Sequence, residues 1–128
     1  MRRKTEALAR INAALWAATK PGATGAELYR IAADAYAAED CAGEINLHHQ
    51  GGACGYRTRD WTAHPANSET VHANQAFAWN PTITGAKTEE TVVAFKDKIE
   101  VLTASPGWTQ IAAEAGEREY LMPGVWAL

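Results

Sequence analysis

An α+β fold is predicted by three observations. Apolar residues recur at helical spacing through roughly the first forty residues. From Glu44 the period shortens toward two, in segments rich in β-branched and aromatic side chains. The helical and extended segments are segregated along the chain, which argues against a parallel sheet built from βαβ units.

The length of 128 residues suits one domain, since compact domains run to about 100–150 residues. An apolar fraction of 47% against 21% charged residues is that of a globular chain and not a disordered one. The net charge of −3 removes the basic footprint of a nucleic-acid binder, and Arg2-Arg3-Lys4 is too short a cluster to restore it. With no long apolar run and no export signal, the expected compartment is the cytoplasm, with Cys41 and Cys54 as reduced thiols.

The first helix carries Leu8, Ile11, Leu15 and Ala18 on one face and ends at Lys20-Pro21-Gly22. The second opens at Thr24-Gly25-Ala26-Glu27, which has capping-box spacing. Leu28, Ile31, Ala32 and Ala35 line its buried face, and it frays near 40–43. Extended chain is then expected from Glu44 through Ile45 and Leu47 into His48-His49-Gln50-Gly51-Gly52. Residues 62–70 read as a surface loop, 75–79 as a strand, and 80–87 as a turn. Thr88 to Phe95 and Ile99 to Leu102 form a hairpin about Lys96-Asp97-Lys98. Glu119 to Met122 reads as an edge strand before Pro123. The organisation is therefore a helical pair over 1–43, antiparallel strands over 44–104 and a wrapping tail over 105–128.

Two islands carry chemistry. Adjacent histidines in extended chain point to opposite faces, so one of His48 and His49 faces a common site. Gly51 and Gly52 would let a ligand approach the backbone, although a glycine bend with two ordinary histidines has the same signature. In the second island Glu89 and Glu90 alternate faces, one covered and one outward, and Asn80 precedes Pro81 as a turn former. No nucleophile elbow, phosphate-binding glycine loop or H-E-x-x-H is present.

Five segments in order resemble the C-terminal part of the pita-bread hydrolases, the family of aminopeptidase P, prolidase, methionine aminopeptidase and creatinase. Residues Lys20 to Leu28 resemble the family's "ikpGmt..el" link, and His48-His49-Gln50-Gly51-Gly52 its "GHGIG" strand. Phe77-Ala78-Trp79-Asn80-Pro81 is similar to "f.iEP", Thr88 to Val93 to "iEDTvlV", and Val101-Leu102-Thr103 to the closing "e.LT". The resemblance implies a pita-bread-type α+β fold, two helices followed by a curved antiparallel sheet, and a hydrolase of the Xaa-Pro peptidase type.

In the family, two aspartates, one histidine and two glutamates hold two divalent metals (manganese, zinc or cobalt), and a metal-bound hydroxide attacks the amide. Carried over, the resemblance implies His49 as metal ligand, or His48 if the register slips by one, and Glu89 as the last glutamate. It implies substrate contacts at Asn80, Gly51, Gly52 and Tyr56. Two departures stand out. Asn80 occupies the place of a metal glutamate, and neither Asp34 nor Asp40 matches the aspartates. The family's further substrate-binding histidine has no match in Tyr56-Arg57-Thr58-Arg59-Asp60.

The expected activity is hydrolysis with an incomplete dinuclear site. The alternatives are a metal-independent, creatinase-like hydrolase with His49 as the base and His48 behind it, and a non-catalytic remnant that needs a partner half. The expected partners are a peptide or small amide substrate, with no nucleic acid and no membrane. A half sheet leaves edges open, so a second copy or a missing N-terminal half is expected against it.

Overall fold

The computed structural model describes residues 1–126; the last two residues of the tail lie outside it. Helix α1 spans Arg2–Ala18 and α2 spans Gly25–Ala38. The capping box at the start of α2 is formed: the Thr24 hydroxyl accepts from the Glu27 amide at 3.1 Å, and the Glu27 carboxylate accepts from the Thr24 amide at 2.8 Å. The buried stripe of α2 is Leu28, Ala32 and Tyr36, while Ile31 and Ala35 are only half-buried, so the inward face runs through Tyr36.

Among the described residues nine strands follow: β1 Gly51–Ala53, β2 Trp61–Thr62, β3 Gln75–Trp79, β4 Thr82–Ile83, β5 Ala86–Lys87, β6 Glu90–Ala94, β7 Ile99–Val101, β8 Gln110–Ala115 and β9 Arg118–Pro123. Five of them make one antiparallel sheet in the order β2-β1-β3-β6-β7. Its helix-facing side buries Phe77, Trp79, Val92 and Ala94 completely. Phe77 stacks on Trp79 at 5.8 Å and takes the edge of Trp61 at 5.4 Å. The Trp79 indole N–H reaches Thr19 at 3.1 Å, pinning the end of α1 to the middle of the sheet.

Three elements differ from the sequence reading. Residues Ala42–Leu47 form a 3-10 helix where extended chain was expected. The Glu44 carboxylate there accepts from both the amide and the hydroxyl of Thr84 at 3.0 Å, holding the segment against the β4–β5 turn. The expected turn over 80–87 contains that small hairpin, β4 with β5. The tail is a hairpin, β8 with β9, packed on α1 through buried Ala113 and Met122 and an edge contact between Tyr120 and Trp16. This cover explains why α1 is buried almost all round, Asn12 included, instead of along one stripe. No helix among the described residues is long and apolar enough to cross a membrane.

Candidate functional site

The candidate residues meet at one end of the sheet because of strand register. Gly51 pairs with Trp79, and Trp79 with Glu90, so Gln50, Asn80 and Glu89 occupy the next rung. The Asn80 amide donates to the Gln50 carbonyl at 2.9 Å, which extends the ladder to that rung. Glu90 is buried, with the Thr103 hydroxyl donating to it, and Glu89 is on the open side, as alternation requires.

Glu89 is held by two cations. Its Oε1 lies 3.1 Å from Arg59 Nη2, and its Oε2 lies 2.8 Å from Lys87 Nζ. Hydrogen bonds from Lys87 and Arg59 keep this carboxyl below its usual range, against the opposing effect of burial. The Arg59 side chain is only 13% exposed and also donates to the Thr58 carbonyl. Arg59 comes from the segment that lacks the family's second histidine, and nothing in the sequence shows which of its two arginines turns inward. Lys87 sits two residues before Glu89 in extended chain, a same-face spacing that was available as a signal.

His49 is exposed, and its Nδ1 accepts the Gly51 N–H at 3.1 Å. Burial, then the neighbouring Arg59 guanidinium and His48, push its pKa down, with Glu89 acting the other way. His48 is half-buried in extended backbone; its Nδ1 lies 2.8 Å from the His49 carbonyl. Between the histidines and the strand stands Gln50, 1% exposed. Its amide nitrogen donates to the His48 and Ile45 carbonyls, and its oxygen accepts from the Tyr36 hydroxyl at 2.5 Å. Tyr36 in turn accepts the Thr82 N–H at 2.9 Å. Gln50 and Tyr36 are positioning residues that the sequence reading passed over.

The two glycines serve strand pairing. A Cβ on Gly51, whose φ is +111°, would lie 2.1 Å from the Ala78 carbonyl oxygen, and one on Gly52 would lie 2.0 Å from that of Trp61. The space beside them is filled by neighbouring backbone. Tyr56 projects fully into solvent, at 106% exposure, and the structure does not bring it to the site.

The donor set does not fit a divalent metal. A metal-bound histidine donates its second ring N–H to an acceptor, whereas the Nδ1 of His49 faces a donor. Both oxygens of Glu89 are engaged by fixed or mobile cations, and Asn80 brings no charge. Among the described residues no group of three or more His, Cys, Asp or Glu side chains could hold a metal ion. What the site does present is unpartnered polarity. Arg59 Nε, Asn80 Oδ1 and His48 Nε2 are all buried without a hydrogen-bond partner among the described residues.

No protein-family model matches the sequence, and no curated protein matches it. Solved structures do. The chain is similar to the dipeptidase PepE from Mycobacterium ulcerans, at 25% identity and a TM-score of 0.68, over 82% of this chain and 30% of that one. It is similar to the X-Pro aminopeptidase from Thermotoga maritima, at 21% identity and 0.66, over 80% and 31%. It is also similar to the N-terminal domain of the FACT complex subunit SPT16 from chickpea (Cicer arietinum), at 18% and 0.65, over 80% and 28%. The chain therefore spans about 30% of the length of the PepE structure.

Proposed function

We propose, from the pita-bread fold that this chain shares with the C-terminal portion of dipeptidases and X-Pro aminopeptidases, that it forms the substrate-binding part of an Xaa-Pro peptidase-type hydrolase. Its own residues take a peptide or small amide without a divalent metal. The observation that carries the reading is the clustering of Arg59, Lys87, His49 and Asn80 about Glu89, on the sheet end where register gathers them. Arg59 and Lys87 supply fixed positive charge, and the Asn80 amide and His49 ring supply directional hydrogen bonds to an amide's oxygen and N–H. A peptide or small amide is the expected substrate, with a second copy or an N-terminal half against the open sheet edges; light scattering tests that partner.

The test is a titration of the isotopically labelled chain with an Xaa-Pro dipeptide in excess chelator. Saturable shifts at His49, Asn80 and Arg59 support the reading. Shifts that appear only after manganese is added, or no shifts at all, overturn it. A second, non-catalytic reading is favoured by the misfit of the metal donors. It predicts binding without turnover in the longest form of the protein that can be expressed.

A further inference from the structure

We infer that His48 and His49 are locked in opposite neutral tautomers, so that His49 meets its ligand as a hydrogen-bond donor through Nε2–H while the free ring lone pair belongs to His48. Each assignment follows from one unambiguous partner. A backbone N–H can only donate, so His49 Nδ1, which faces the Gly51 N–H at 3.1 Å, carries a lone pair and the ring proton sits on Nε2. A carbonyl oxygen can only accept, so His48 Nδ1, which lies 2.8 Å from the His49 carbonyl, carries a proton, and in the neutral ring Nε2 then holds the lone pair.

The one contact that could reverse the second assignment is Gln50 Nε2 at 3.3 Å from His48 Nδ1. It does not, because both N–H bonds of that amide are already spent, on the His48 carbonyl at 2.8 Å and the Ile45 carbonyl at 3.3 Å. The amide cannot be turned over either, because its oxygen would then face the His48 and Ile45 carbonyls. Gln50 thus fixes the backbone between the two rings, and the buried, unpartnered Nε2 of His48 is an acceptor.

Resting on the reading of the site as one for a peptide or small amide, this assigns roles. His49 polarises a carbonyl oxygen and does not take a proton; a base drawn from this pair would be His48. The ligand group for His49 is a carbonyl oxygen or an oxyanion.

Long-range proton–nitrogen correlation on the ligand-free full chain reads both tautomers directly. The expected pattern is pyridine-type Nδ1 with pyrrole-type Nε2 at His49, and the reverse at His48. The same tautomer at both rings, or Nδ1–H at His49, overturns the inference. This readout needs no ligand, so it stands apart from the dipeptide titration: split tautomers without dipeptide binding would retire the functional reading alone. In the binding assay His49→Gln, which keeps a donor, should hold dipeptide affinity within about threefold, and His49→Ala should lose about tenfold. Equal losses in the two variants would contradict the donor role.

Discussion

The polar node under the helices and the polar cluster at the sheet end are built from similar residues and are finished differently. Around Tyr36 and Gln50, the hydroxyl, the amide oxygen and both amide hydrogens have partners within the protein. Around His48, Arg59 and Asn80, three buried polar atoms have none among the described residues. A complete network rigidifies and specifies, whereas an incomplete one is costly unless something else completes it. The first region therefore holds the second in place, and the second is where a ligand belongs. A third group, Asn12 and Trp16 on α1, also has buried polar atoms with no hydrogen-bond partner among the described residues, but these lie in the core, where α1 packs against the tail hairpin.

Breaking the complete node should have the largest effect. Tyr36→Phe strands the Thr82 N–H and the Gln50 oxygen and should cost about 2–4 kcal/mol in a urea melt. The same residue gives the node an alkaline limit. Burial pushes the Tyr36 hydroxyl up to about 12. Its contribution is full below the unfolded-chain value near 10 and is lost as pH rises through about 12, by roughly 2–3 kcal/mol. Tyr36→Phe should flatten that part of the pH profile.

Asn12→Leu sharpens the comparison from the other side. Removing two buried, unpartnered polar atoms from an apolar setting should stabilise the chain by about 1 kcal/mol in thermal unfolding, although the loss of a ligand contact is not expected there. The ion pair of Arg10 and Glu39 is a smaller lever. Arg10 holds the Glu39 carboxyl below its usual range, so its stabilisation is full above the unfolded-chain value and fades as pH falls through the depressed one. With Arg10 half-exposed, Glu39→Gln should cost less than about 1 kcal/mol at neutral pH.

The sequence reveals what local chemistry alone decides. The capping box at Thr24 and Glu27 and the hairpin through Lys96-Asp97-Lys98 rest on neighbours within a few residues, and the strand over Gln75–Trp79 shows in its own alternation. The alternation of Glu89 and Glu90 was legible for the same reason. Partners distant in sequence were not. The 3-10 helix at Ala42–Leu47 is held by Thr84, forty residues on, whose amide and hydroxyl donate to the Glu44 carboxylate. Asn12 breaks the apolar stripe of α1 only because the tail covers its other side. Arg59 reaches Glu89 through a contact spanning thirty residues, and an inward arginine looks like a solvated one in the sequence. His49 could be numbered as a ligand from the resemblance, but the N–H that faces its ring belongs to Gly51 and exists only in the folded turn.

The central claim is that cations and hydrogen-bonding groups, not a metal, receive the ligand at this end of the sheet. It is tested most directly by titrating manganese(II) into the isotopically labelled full chain and following the amide signals of Gly51, Asn80 and Glu89. The account predicts no selective broadening of those signals relative to exposed carboxylates elsewhere, such as Glu114 and Glu119. Selective broadening centred on His49 and Glu89 would contradict it.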